Sequence, residues 1–117
     1  MEPRRSERVS EALREELEEI ISYEMKDPRI NIDGVSEVLI SPDGRQAHVR
    51  LAMSGSAESQ LETIEVLNHA KGFLKAEVGQ RLDLFRLPDL HFESAISPEL
   101  GSRMQQLLKR VRKGRPR

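Results

Sequence analysis

The chain has 117 residues, which suits one domain, and it is 33% charged but only 3% aromatic, so its core must be aliphatic. It contains no cysteine, which excludes disulfide bonds, thiol chemistry and thiolate metal sites. No apolar run exceeds four residues, so neither a membrane-spanning segment nor a signal peptide is visible, and we expect an intracellular, cytoplasmic protein.

The first predicted element is a helix over residues 6–25. Its apolar residues recur at three- and four-residue spacing from Val9 to Ile21. Ser6 is the expected N-cap, and glutamates fill the face that we expect to meet solvent. The helix should end before Pro28, because a residue that precedes proline avoids helical backbone angles.

Two strands should follow, over residues 35–40 and 46–53. The segment between them, Ser41-Pro42-Asp43-Gly44, is a strong turn signal, because proline fixes its φ and glycine accepts a positive φ. In the second strand apolar and polar residues alternate, as they do in an antiparallel strand with one buried face.

A second helix over residues 57–69 should meet the tripeptide Ala70-Lys71-Gly72, after which helical apolar spacing resumes. Glycine in a helix costs about 1 kcal/mol relative to alanine, and it marks a kink, a cap or a close approach. Because the periodicity continues past Gly72, the sequence predicts a pair of helices joined by a kink. We expect Phe73 and Phe85 to lie in or near the core.

A third strand is predicted over residues 90–96, and a last helix begins at Pro98. The predicted order is thus α-β-β-α-(kink)-α-β-α, an α+β domain. All 20 acidic residues and 13 of the 19 basic residues lie in positions 1–108, whereas positions 109–117 hold the other 6 basic residues and no acid. We therefore predict a domain over 1–108 and a disordered basic tail over 109–117, suited to an anionic partner or simply to solubility.

No catalytic site can be assembled from this inventory. His48, His69 and His91 fall on three separate predicted elements without metal-ligand spacing. The seven glycines form no phosphate-binding motif. We expect a protein that is not an enzyme and that uses no cofactor, metal or small-molecule substrate.

Basic residues offer a better signal, because they cluster where they could contact phosphate groups. Lys71 and Lys75 lie at a predicted helix N-terminus, where free N–H groups also favour anions. With so few aromatic residues, base stacking is not expected to be the main mode, so recognition of shape and backbone is favoured. The basic residues that could contact phosphate are Arg4, Arg5, Arg8, Lys71, Lys75, Arg81, Lys109, Arg110, Arg112 and Lys113.

A series of short motifs runs from about Arg5 to Leu108, and their order and spacing make them specific. In chain order they are Arg8-Val9, Glu24, Asp27-Pro28-Arg29, Val38, Ser41-Pro42-Asp43, Ala47, Val49, Leu67, Ala70, Gly72-Phe73-Leu74-Lys75, Leu82, Leu84, Pro88, Leu90, Phe92, Ser97 and Gly101. In these residues the chain resembles the ribosome-binding factor A family.

The resemblance implies a type II KH-like fold, with the helices packed on one face of a three-stranded sheet. It gives Ala70 and Gly72 the kink in an RNA-binding helix pair, with Lys71 and Lys75 facing RNA. It also makes RNA the expected partner of the other basic residues named above. It further implies a monomeric, non-catalytic assembly factor that binds the immature small ribosomal subunit, assists maturation of the 5′ end of its 16S rRNA, and then leaves.

Two other functions stay open on the sequence. The same basic surfaces would suit a ribosome-associated stress or hibernation module that binds mature ribosomes. Alternatively, the acidic first helix would suit a protein–protein adaptor.

Overall fold

The computed structural model describes residues 3–84 and 86–95, with side chains from Glu7 onward. In chain order its elements are α1 (Pro3–Glu19), a π-helical turn (Ile20–Glu24), β1 (Gly34–Ile40), β2 (Gln46–Ala52), α2 (Ala57–His69), α3 (Lys71–Arg81) and β3 (Asp89–Ser94). This is the predicted α+β order. The predicted helix from Pro98, the tail over 109–117 and Phe85 lie outside the described residues.

The first helix starts earlier and ends differently from the prediction. It begins at Pro3, so the prediction that Ser6 is its N-cap is wrong. Proline suits the first turn of a helix because its φ is already helical and its missing N–H is not needed there. At the other end, the N–H of Met25 bonds to the carbonyl of Ile20 at 2.9 Å. This wider turn lets the consecutive residues Ile20 and Ile21 both enter the core.

The hairpin forms as the sequence predicts. β1 and β2 pair antiparallel, with a bulge between Val35 and Glu37. The turn closes through the N–H of Ser41, which donates to the carbonyl of Gln46 at 2.9 Å. Gly44 adopts a φ of 74°, the left-handed value that glycine accepts without strain.

The sheet has the order β1-β2-β3, and β3 pairs with β2 in parallel. One face is buried under the helices; its core residues include Ala47, Val49, Leu51, Leu90 and Phe92. The other face is open and carries the exposed residues Glu37, Leu39 and His48. The predicted arrangement, with the helices on one face of a three-stranded sheet, is therefore confirmed within the described residues.

Two polar side chains of α2 fasten this helix to its surroundings. The Oγ1 of Thr63, which is fully buried, donates to the carbonyl of Arg29 at 3.0 Å and accepts from the N–H of Asn31 at 3.2 Å. Near the end of α2, the Asn68 amide accepts from the N–H of Phe92 at 3.1 Å and donates to its carbonyl at 3.4 Å. Buried peptide groups need such partners, and Asn68 supplies them to the free edge of β3.

The sequence predicted that the glutamates of α1 face solvent, but two of them bond to other parts of the protein. Glu18 accepts from the N–H of Val35 at 3.0 Å and from Arg14 at 3.2 Å, which ties α1 to β1. Glu16 approaches Arg81 of α3. None of the helices in the described part of the chain is long and apolar enough to cross a membrane.

Candidate nucleic-acid interface

Ala70 is the joint between α2 and α3. Its backbone leaves the helical region, with φ −92° and ψ 8°. Its N–H still reaches the carbonyls of Val66 and Leu67, each at 3.1 Å, and its own carbonyl accepts from the N–H of Leu74 at 3.0 Å. The predicted kink is present, and the bend itself lies at Ala70.

Buried side chains and hydrogen bonds to β3 support the kink. Leu67 in the last turns of α2 and Leu74 in the first turn of α3 are both fully buried. Asn68 bonds to β3 on one side of the joint, as described above, and Lys75 reaches Asp89 on the other. A surface held by such contacts needs less ordering when it meets a partner.

Above this support lies an exposed strip that we call the kink surface: Ala70, Lys71, Gly72, Phe73 and Lys75. Lys71, Gly72 and Phe73 are exposed. The N–H groups of these three residues lie in the first turn of α3, so they have no acceptor within that helix, and helix N-termini favour anions. The kink surface therefore combines positive charge with the N-terminus of a helix.

Phe73 corrects a prediction from the sequence. Its side chain is 53% exposed, so the placement in or near the core is wrong. Leu74 and Val78 fill the core-facing stripe of α3, and Phe73 lies about 100° around the helix from Leu74.

Lys75 makes an ion pair that shapes the edge of the kink surface. Its Nζ lies 2.7 Å from the carboxylate of Asp89. The hydrogen bond from Lys75 is the main reason why the pKa of the Asp89 carboxyl is lowered, and the charge of Lys71 contributes as well. The N–H of Asp89 in turn bonds to the carbonyl of Arg45 at 2.8 Å, which brings the exposed Arg45 to the same edge. Sequence reasoning missed Arg45, because only the parallel pairing of β2 and β3 brings it there.

Nothing within the described fold requires glycine at position 72. It does not have a positive φ, and a Cβ built on it meets no atom within 4 Å. Alanine would suit the helix better by up to about 1 kcal/mol. A glycine that the fold does not require is typical of a place where another molecule comes close to the backbone.

The other predicted RNA-binding residues divide into three groups. Arg81 is engaged with the carboxylates of Glu16, Glu24 and Glu77, and its hydrogen bond to Glu24 is the main cause of its raised pKa. Arg8 is exposed on α1. Lys109, Arg110, Arg112, Lys113 and the side chains of Arg4 and Arg5 lie outside the described residues.

A groove of about 460 Å³ leads to Ala70 from the loop after α1. Three of its lining residues are acidic, namely Asp27, Glu62 and Glu65, against one Arg29. The Arg29 guanidinium bonds to Asp27 and lowers the pKa of that carboxyl to about 2. Because carboxylates repel phosphate, this groove forms a boundary of the kink surface and is not a path for a nucleic-acid backbone.

The open face of the sheet carries two of the three histidines. The rings of His48 and His91 stack with their centroids 5.4 Å apart, and His48 Nδ1 lies 2.9 Å from Glu93. Within residues 3–84 and 86–95, no three side chains of His, Asp or Glu converge as metal ligands would.

The element order, the parallel third strand and the kinked helix pair define a small α+β domain of the type II KH-like class. A family model for ribosome-binding factor A matches residues 5–108. The chain therefore belongs to the ribosome-binding factor A family.

One curated relative and two solved structures agree with this assignment. A ribosome-binding factor A of Solibacter usitatus is 47% identical over 117 residues, covering 100% of this chain and 95% of that relative. The crystal structure of ribosome-binding factor A from Thermus thermophilus superposes with a TM-score of 0.67 at 27% identity, covering 76% of this chain and 94% of that one. A model of the Thermus thermophilus protein, fitted into a cryo-EM map of a 30S–RbfA complex, matches with a TM-score of 0.55 at 27% identity, covering 70% and 86% of the two chains.

Proposed function

We propose that this chain is a non-catalytic, cytoplasmic, monomeric assembly factor that binds the immature small ribosomal subunit and assists maturation of the 5′ end of its 16S rRNA. The observation that carries the proposal is the kink surface. There the exposed Lys71 and Gly72 lie in the first turn of α3, and the space beside Gly72 is open. Membership of the ribosome-binding factor A family and the likeness to the protein fitted into a 30S complex support it.

The proposed mechanism is docking. Phosphates meet Lys71, Lys75 and the first N–H groups of α3, while Gly72 lets the RNA backbone approach closely. Asp89 keeps Lys75 in place until a phosphate competes for it. Arg81 could bind phosphate only by leaving its carboxylates, so its part in docking is smaller than that of Lys71.

The basic residues outside the kink surface extend this contact in our proposal. Arg4, Arg5 and Arg8 lie in the first two turns of α1. The basic residues over 109–117 follow the domain that we place over 1–108. Each would add a salt-sensitive phosphate contact without reading the RNA sequence.

Sedimentation of tagged protein from growing cells tests the proposal. The protein should be enriched in the fractions of free small subunits, and its depletion should raise the share of 16S rRNA with an unprocessed 5′ end. Both are measured on the same gradients, by immunoblot and by primer extension. Enrichment on finished ribosomes would favour a stress or hibernation module, and unchanged 5′ ends would contradict the role in maturation.

Gly72→Ala should separate stability from binding. The variant should unfold at the same or a higher urea concentration. Its free energy of unfolding should rise by up to about 1 kcal/mol, because alanine favours the helix. Its affinity for small subunits should fall, since the added methyl group stands where the RNA backbone approaches. Gly79→Ala is the comparison variant in the same helix. Its Cβ would lie 2.8 Å from Leu87 within the fold, so it should change stability through packing and not through contact with RNA. Unchanged subunit binding by Gly72→Ala would contradict the close approach.

A further inference from the structure

Phe73 exposes a large apolar ring next to Gly72 on the kink surface. Three large apolar side chains are exposed in the described part of the chain, namely Tyr23, Leu39 and Phe73. Of these, Phe73 is the one that belongs to the kink surface. The ring contact found among the described residues is between His48 and His91, so within this part of the chain the Phe73 ring has no aromatic partner.

The helix places Phe73 beside the path that the proposed docking gives to the RNA. At about 100° per residue, Lys75 lies to one side of Gly72 on the surface of α3 and Phe73 lies to the other. Leu74 and Val78 occupy the buried side of the same helix. An RNA backbone that crosses Gly72 and contacts Lys75 would therefore have the Phe73 ring next to it, on the side away from Lys75.

We propose that Phe73 is a stacking platform for one unpaired base of the RNA strand that the kink surface holds. This inference rests on the proposed function, and it adds that the strand is single-stranded where it crosses Gly72. A phenylalanine ring has no polar atom, so its contribution is the sequence-tolerant contact between two π-faces. Base faces are hidden inside a duplex, whereas loops and ends can turn a base outward. Lys71 and Lys75, on the other side of Gly72, favour a polyanion over an apolar pocket of a protein.

Phe73→Trp and Phe73→Leu test the platform in the full chain. The natural chain has no tryptophan, so Trp in place of Phe73 is a unique fluorescent probe. Two probes are titrated, a short single-stranded oligoribonucleotide of mixed sequence and isolated small subunits. We expect quenching of the Trp emission by both, and no quenching by the same oligoribonucleotide annealed into a duplex. Phe73→Trp should bind like the natural protein, whereas Phe73→Leu, which stays apolar but has no π-face, should bind about fivefold or more weakly.

Binding measurements with a control variant distinguish a failure of base stacking from a failure of the proposed function. Leu39→Ala removes another exposed apolar side chain, on β1, and should leave binding unchanged. If the natural protein binds small subunits but Phe73→Leu binds equally well, or the Trp emission shifts to the blue without quenching, the platform is wrong and the function stands. If the natural protein fails to bind small subunits while the single strand quenches Trp and Phe73→Leu binds it weakly, the function is wrong and the platform stands.

Discussion

Replacing both Lys71 and Lys75 by glutamate should weaken binding to small ribosomal subunits by about 100-fold at low salt. Two charge-assisted contacts to phosphate are lost, and each new carboxylate repels the backbone. The slope of log affinity against log salt should also become shallower by roughly two, because two fewer counterions are released. Sedimentation with purified subunits over a salt series measures both quantities.

Replacing the same two lysines by arginine is the matched control. It keeps both charges, so affinity and salt slope should stay close to those of the natural protein. The glutamate variant should still fold, because Lys71 is exposed and the ion pair of Lys75 with Asp89 lies at the surface, where such pairs contribute little. If the glutamate variant bound subunits as well as the natural protein, docking through the kink would be wrong and an adaptor role of α1 would gain ground.

Leu74→Ala should lower the free energy of unfolding by about 2–5 kcal/mol, measured by urea denaturation. Leu74 is fully buried in the first turn of α3, directly under the kink, so its truncation leaves a cavity that the neighbouring core residues can fill only in part. The free energy of unfolding of a domain of this size is about 5–15 kcal/mol, so the loss would be a large share of it.

The same substitution at an exposed leucine is the control for this effect. Leu39 is 46% exposed on β1, so Leu39→Ala should cost less than about 1 kcal/mol. Leu74→Met, which conserves volume, should cost less than about 1.5 kcal/mol. Equal losses for the two alanine variants would mean that Leu74 does not support the kink.

Local signals predicted the local structure well. The turn at residues 41–44 and the helix Ala57–His69 depend on proline, glycine and apolar spacing, which act over a few residues. The kink was predictable for the same reason, because Gly72 interrupts a periodic pattern without ending it. The fold class then followed from the element order and from the resemblance.

Contacts between distant residues could not be predicted in this way. Arg81 pairs with Glu24 across 57 positions, and Thr63 bonds to the carbonyl of Arg29 across 34. Nothing in the neighbouring sequence marks either residue for these roles. Phe73 was misplaced because it adjoins Leu74, and a difference of one residue decides which side of a helix faces the core.

The parallel pairing of β2 with β3 also sets the order in which the kink surface can form. Both α2 and α3 lie between these strands in the chain, whereas β1 and β2 are joined by a short turn. Closing the longer loop costs more entropy before any contact offsets it, so we expect the hairpin to form early and β3 to dock late. Asp89 and Phe92, which fasten Lys75 and Asn68, both belong to that late strand. A nascent chain that has not yet added β3 thus holds every residue of the kink surface but lacks the strand that gives the surface its shape.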